Sequence, residues 1–325
     1  MSALVEARGV TKHFPLRRGR VVHAVDEVSL EIAEKEIVGL VGESGSGKST
    51  LGKTIVGLHD KTAGDVFFAG EKLPQRYTTA DFRRNAHRMQ MIFQDPYSSL
   101  NPRMTVGEII GEGLRLHGRA RRAQTRDTVA DWLVRVGLEP GHAVRYPHEF
   151  SGGQRQRVGV ARALIMEPAF IVCDEPISAL DVSVQAQIVR MLGELKASLG
   201  LTMLFIAHDL SMVRYVSDRM AVMYLGALVE IGPADEVYFD PWHPYTQALV
   251  ASNPEPDPKS ERERATAKLG GEIASPVNIG PGCRFAGRCP QVMEHCRTVT
   301  PRLETVVREG KQRQVACHLY APAGS

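Results

Sequence analysis

The segment Gly42-Glu43-Ser44-Gly45-Ser46-Gly47-Lys48-Ser49-Thr50 carries the spacing G-x-x-x-x-G-K-S/T, which cradles phosphate when it joins a strand to a helix. Its glycines let backbone N–H groups face an anion, and a helix starting near Lys48 would aim its positive dipole end at the same point. Lys48 is then placed for the β- and γ-phosphates of a nucleotide, and the Ser49 hydroxyl for Mg²⁺. Phe170-Ile171-Val172-Cys173-Asp174-Glu175 is an apolar run ending in two carboxylates. Asp174 suits the Mg²⁺ shell, and Glu175 suits an attacking water, as proton acceptor or as orienter. Strands ending in Asp-Glu are commonly structural, so this pair gains its meaning from the phosphate loop upstream. In Phe150-Ser151-Gly152-Gly153-Gln154, two glycines again precede a run of helix formers, a second anion-binding helix start. One nucleotide cannot use two such loops far apart in one sheet domain. The second is therefore expected to serve a nucleotide held by another subunit.

These residues need a frame. Ile37 to Val41, Met89 to Phe93, Phe170 to Cys173 and Thr202 to Ala207 are short apolar runs, expected as strands of a parallel sheet covered on both faces. Each is followed by polar residues (Gly42 to Thr50, Gln94-Asp95, Asp174-Glu175, His208-Asp209), and ligands of such sheets sit beyond the carboxyl ends of the strands. Val106, Ile109, Ile110 and Leu114 share one helical face, and Val129, Trp132, Leu133 and Val136 share another. Residues 97 to 157 thus read as a helical subdomain inserted into the sheet domain. The first 35 or so residues alternate weakly, as an antiparallel flap would. Further short strands are expected at Met220 to Tyr224 and Leu228 to Ile231. From Asn253, proline and charge displace apolar residues, marking a linker over 253–270 between a domain at 1–252 and a small tail at 271–325.

Composition excludes several classes. The 325 residues are 43% hydrophobic and 24% charged, with 40 basic against 37 acidic side chains, as in an ordinary globular protein. Leu199 to Ala207, the most apolar stretch, is about half the length a membrane-spanning helix needs. No basic region leads into an apolar run at the N-terminus, so no secretory signal is expected. Balanced charge does not describe a dedicated nucleic-acid binder. The basic stretch Arg115 to Arg122 has little aromatic interleaving and reads as a solvated or partner-facing helix surface. Five cysteines with no secretory signal point to a reducing compartment. Cys173 reads as a small core residue. Cys283, Cys289, Cys296 and Cys317, spaced C-x5-C-x6-C-x20-C, look like metal ligands. They lack the tight C-x2-C pairs of zinc sites, and four thiolates suit an iron–sulfur cluster.

The ordered set of loops resembles the ATP-binding cassette (ABC) ATPases over residues 4 to about 250. The resemblance implies an α/β P-loop nucleotide-binding domain with a parallel-sheet core, an antiparallel β subdomain and an inserted helical subdomain, two such domains sandwiching two ATP molecules head to tail. Phe14 matches the aromatic that stacks on adenine, Gly42 to Thr50 the Walker A loop, and Gln94 the glutamine loop. Ser151, Gly152, Gly153 and Gln154 match the signature, with Phe150 in place of the commoner leucine. Asp174 and Glu175 match Walker B, Ser178-Ala179-Leu180-Asp181 the D-loop, and His208 the switch histidine. Glu175, His208 and Gln94 are the implied catalytic residues, and Ser49, Gln94 and Asp174 the implied Mg²⁺ ligands.

Phe93 to Pro102, Tyr146-Pro147-His148-Glu149-Phe150, Val182-Ser183-Val184-Gln185-Ala186-Gln187 and Met223-Tyr224-Leu225-Gly226 are similar to the oligopeptide/dipeptide importer branch. So are Gly282-Cys283-Arg284-Phe285 and Arg288-Cys289-Pro290, and Phe150 is usual there. Within that branch the chain is most similar to the F-type ATPase subunit. The resemblance implies a second ATPase subunit of different sequence, two permease subunits, an extracytoplasmic solute-binding protein, and work at the cytoplasmic face of the membrane as a peripheral subunit. It also implies a 4Fe–4S cluster on the four tail cysteines, with zinc or free thiols as alternatives. Importers of nickel, glutathione or another small solute use the same kind of ATPase. A soluble ABC ATPase acting on ribosomes or DNA is disfavoured by the single uninterrupted cassette without heptads, and an exporter by the branch-level motifs.

Overall fold

The computed structural model describes residues 3–95, 97–118, 122–178, 180–252 and 275–320. The first half of the chain forms β1 (Ala3–Pro15), β2 (Val21–Ala33), β3 (Ile37–Val41), α1 (Lys48–Ile55), β4 (Ala63–Phe68), β5 (Glu71–Lys72), α2 (Thr79–Asn85), β6 (Met89–Ile92), α3 (Val106–Leu116) and α4 (Arg122–Arg135). Then come α5 (Gly152–Leu164), β7 (Phe170–Asp174), α6 (Val182–Leu199), β8 (Thr202–Ile206), α7 (Leu210–Val216), β9 (Arg219–Tyr224), β10 (Ala227–Pro233), α8 (Ala234–Phe239), α9 (Pro244–Ala251), β11 (Glu304–Arg308) and β12 (Lys311–Val315).

Two sheets result. The larger has the order β11-β12-β10-β9-β3-β8-β7-β6, and its stretch from β9 to β6 is parallel. The smaller, β2-β1-β4-β5, is antiparallel. Strand alternation sorts side chains between two cores. On β7, Ile171 and Cys173 face the helical side, while Phe170 and Val172 face the antiparallel sheet. On β8, Met203 and Phe205 go one way, and Leu204 and Ile206 the other. Continuous apolar runs are what a strand buried on both faces requires. Burial pushes the Cys173 thiol up to about 12, so it is inert packing.

The two stretches of helical periodicity form α3 and α4, within the region expected as a helical insert. Val106, Ile109, Ile110, Val129, Trp132, Leu133 and Val136 are all buried, and Thr105 starts α3 with a capping box through Glu108. Its closing helix α5 runs past the expected limit of 157 to Leu164, because Val158, Val160, Ala161, Ala163 and Leu164 continue its buried face. Among the basic stretch, Arg119, Ala120 and Arg121 lie outside the described residues, as does the linker at 253–270.

The tail departs from the expected small appendage. Hairpin β11–β12 extends the main sheet, with β12 pairing antiparallel to β10 at Glu230–Val315 and Ile231–Gln314. Arg313 on β12 is fully buried. It contacts Glu230 at 3.5 Å, Glu236 at 3.1 Å and Asp240 at 3.0 Å, and its guanidinium lies 4.4 Å from the Trp242 ring centroid. A tail too small for a core of its own is held by sharing the cassette's sheet and charges.

Candidate active site

The phosphate loop sits at the carboxyl end of β3. Gly47 occupies the cap of α1 at φ 103°, and a Cβ there would stand 1.9 Å from the Ala24 carbonyl oxygen, so only glycine fits. Lys48 is buried, and its ammonium donates to the carbonyls of Gly42 (2.8 Å) and Glu43 (2.9 Å) and to the Ser46 hydroxyl at 3.4 Å. Burial lowers its pKa, against the pull of Glu175, Asp174 and Glu43. Above it opens a cleft of about 260 Å³ lined by Ser44, Gly45, Gly47, Lys48, Ser49, Thr50, Gln94 and Glu175. Val22 and Ala24 of the antiparallel sheet and Pro276 of the tail complete the walls.

Two strand ends bring groups to a carboxylate oxygen that a third strand end supplies. Gln94, beyond β6, donates from Nε2 to Glu175 Oε2 at 2.7 Å, and His208 Nδ1, beyond β8, lies 3.9 Å from the same atom. Glu175 follows β7 at φ 44°, its N–H donating to the Ile206 carbonyl at 3.0 Å. The left-handed backbone turns the side chain away from the strand direction, and such strain collects at functional sites. Asp174 is buried; its Oδ2 is 3.6 Å from the Lys53 ammonium, and its Oδ1 has no hydrogen-bond partner. A buried carboxylate oxygen left unpaired is costly in a folded chain. Beside a phosphate loop, this donor set with Ser49 and Gln94 fits a hard divalent cation.

Other expected residues stand apart from the cleft. Phe14 is half-buried on β1, register partner of the cleft residue Val22, with His59 edge-on at 5.6 Å and the Lys12 ammonium 4.8 Å from its ring. Ser151, Gly152, Gly153 and Gln154 start α5 and do not line the cleft. There Ser151 N–H donates to Gln154 Oε1 at 3.0 Å, and Gln154 N–H to Ser151 Oγ at 3.4 Å. Exposed Asp181 precedes α6, and its side chain makes no cap hydrogen bond. Ala179 lies outside the described residues. Gln185 staples this turn by donating to the carbonyls of Ile177 (3.1 Å) and Leu180 (2.9 Å).

The four tail cysteines share one small cavity with Phe285, His318 and His243, and all are free thiols. The Cys283 N–H donates to the Cys296 carbonyl at 2.7 Å. Desolvation raises the Cys283 and Cys289 thiols and lifts Cys317 to about 11. Beside them, ligand atoms of His295, Cys296 and His318 lie within 4.8 Å of one another. Sequence reasoning missed Lys53, Pro276 and the tail arginines, and had Gln185 only as part of a branch-level motif, without its role in the turn. Arg284 and Arg288 were in view only as neighbours of cysteines, and no periodicity could pair them with partners more than 240 positions away.

The family described as ABC transporter matches residues 25–178, and the oligopeptide/dipeptide transporter C-terminal region matches residues 229–296. The oligopeptide transport ATP-binding protein OppF of Salmonella typhimurium is 49% identical over 310 residues, spanning 93% of this chain and 92% of that protein. OppF of Bacillus subtilis is 55% identical over 266 residues, spanning 82% and 87%. Among solved structures, the dimeric post-hydrolysis state of the ATP-binding cassette MJ0796 bound to ADP and Pi matches with a TM-score of 0.65. Its identity is 29%, over 71% of this chain and 98% of that one.

Proposed function

Because this chain belongs to the ABC transporter family and carries the oligopeptide/dipeptide transporter C-terminal region, we propose that it is the ATP-hydrolysing subunit that powers a peptide importer. The observation that carries this is the meeting of Gln94, His208 and Glu175 at one carboxylate oxygen on the rim of a phosphate-loop cleft. Peptide is favoured over nickel, glutathione or other small solutes because the relatives bear oligopeptide-transport names.

In this mechanism ATP lies in the cleft with its phosphates on the Gly42 to Thr50 backbone and Lys48, which leaves its carbonyl partners for the β- and γ-oxygens. Phe14 supports the adenine. Ser49, Gln94 and Asp174 would hold Mg²⁺, which supplies charge neutralisation at the transferring phosphoryl. Glu175 accepts a proton from the attacking water, Gln94 fixes the Glu175 carboxylate, and His208 senses the γ-phosphate. Ser151 to Gln154 stand outside their own cleft, which supports their use on a nucleotide held by a second ATPase subunit, with Asp181 at the same interface. ATP closes such a pair, and hydrolysis reopens it.

The second ATPase is read as a different chain, working with two permease subunits and an extracytoplasmic solute-binding protein. A groove of about 320 Å³ between α2, β6 and α3, with Leu58, Phe82 and Leu116 exposed around it, supports docking of a cytoplasmic permease segment. Among the described residues no helix is long and apolar enough to cross a membrane, which agrees with a peripheral place at the cytoplasmic face. The domain limits 1–252, 253–270 and 271–325 belong to the same proposal.

Cys283, Cys289, Cys296 and Cys317 around one cavity support a bound 4Fe–4S cluster, which would cross-link the tail. A second reading, zinc, is favoured by the proximity of His295 and His318 to Cys296. The function is tested by reconstituting the chain with its permeases and partner ATPase in vesicles. Peptide-loaded binding protein should stimulate ATP hydrolysis and peptide uptake together. Stimulation by DNA or ribosomes, with none from the membrane complex, would refute the importer.

A further inference from the structure

Glu43 of the phosphate loop is gripped from three directions. Its carboxylate accepts both terminal nitrogens of Arg288, at 2.8 and 2.9 Å. Its backbone N–H donates to the Tyr245 hydroxyl at 2.8 Å, and its carbonyl accepts the Lys48 ammonium at 2.9 Å. Arg288 immediately precedes Cys289; its side chain is 6% exposed and its guanidinium lies 5.9 Å from the rings of both Tyr224 and Phe285. At the other end of the same short loop, Arg284 follows Cys283 and donates to the Leu225 carbonyl and the Asp26 carboxylate. Leu225 precedes Gly226, whose N–H donates to the Ser46 carbonyl at 2.8 Å. The cysteine-bearing loop thus touches the phosphate loop directly through Arg288, and Arg284 reaches it at a second point only through Leu225 and Gly226.

Taking residues 42–50 as the seat of the ATP phosphates, we propose that Arg288 is a positioning residue for ATP, acting through Glu43, with Arg284 fixing the opposite wall. Two physical effects follow. A bidentate guanidinium–carboxylate pair sets orientation as well as distance, so the peptide unit that parks Lys48 is held in place. The pair also neutralises a carboxylate that would otherwise repel the incoming triphosphate. Arg288 touches no substrate; its influence runs through Glu43 to Lys48.

The test is a double-mutant cycle on the full-length chain, using a non-hydrolysable ATP analogue as the probe. Arg288→Met is expected to weaken analogue binding roughly tenfold, the loss of a charge-assisted hydrogen-bonded pair. Arg288→Lys, with one point charge and no fork, should fall between that variant and the parent. Arg288→Met combined with Glu43→Gln should bind no worse than Arg288→Met alone, because both changes cut the same link. In the reconstituted complex the effect should fall more on KM than on kcat. Undiminished binding by Arg288→Met, or losses that simply add in the double variant, would overturn the proposal. Should Arg288→Met fail to melt cooperatively, Arg288→Lys and Glu43→Gln decide alone: unchanged binding in both overturns it, and weaker binding in Arg288→Lys supports it. Failure of the unaltered chain to bind the analogue would refute the nucleotide site itself.

Discussion

Glu175→Gln separates ATP binding from ATP cleavage. The amide keeps the shape of the side chain, so its oxygen can still accept from Gln94 Nε2, and the backbone N–H still reaches Ile206. What disappears is the proton acceptor and one negative charge. A general base contributes about 10²–10⁴-fold to turnover, which is about 3–6 kcal/mol of barrier at ~1.4 kcal/mol per tenfold. The lost charge acts in the opposite sense on binding. Glu175 lines the same cleft as Lys48, the proposed seat of the γ-phosphate, so neutralising it should relieve repulsion. ATP affinity should therefore hold or rise while phosphate release falls, and the ATP-loaded pair with the partner ATPase should accumulate. Phosphate release in the reconstituted complex and size-exclusion chromatography with ATP measure the two effects. Turnover within about tenfold of the parent lies outside the general-base range and would refute the assignment of Glu175.

Asp174→Asn should lower Mg²⁺-dependent hydrolysis by roughly 10²–10³-fold, the cost of one removed electrostatic clamp; an Mg²⁺ titration of the variant checks it. Arg313→Met strands the buried Glu230 carboxylate and should destabilise the fold by about 3–5 kcal/mol, read from the denaturant midpoint. Because Trp242 and His243 still donate to Glu230, the further change Glu230→Gln should recover part of that loss. Anaerobically purified protein should contain iron and sulfide, and Cys289→Ser should lose both. A colourless, iron-free sample whose zinc disappears in His318→Ala would establish zinc instead.

Legibility in the sequence followed the range of the interactions involved. Ile37 to Val41 and Thr202 to Ile206 announced buried strands because both faces of each had to be apolar. The phosphate loop announced itself because its glycines, Lys48 and Ser49 act within one turn of chain. Gln94, Asp174, Glu175 and His208 could be gathered in advance, since parallel strands deliver their following residues to one edge. The β11–β12 hairpin was hidden: Glu-Thr-Val-Val-Arg is a mostly solvated edge strand, and Lys-Gln-Arg-Gln-Val, though paired on both sides, has Val315 as its one apolar residue, so no apolar alternation shows. Arg313 inverts the usual rule by being fully buried, and only three carboxylates on distant elements make that tolerable. Arg288 and Glu43 likewise acquire meaning as a pair 245 positions apart. Contacts of that kind decide whether the tail is a passive cap or part of the ATP site. The direct Arg288–Glu43 bonds, together with Pro276 in the wall of the cleft, support the proposal that the tail helps to build the ATP site. A chain truncated at residue 252 would then lack a wall of its nucleotide cleft and the counter-charge of Glu43, and should bind ATP more weakly even if its parallel sheet still formed.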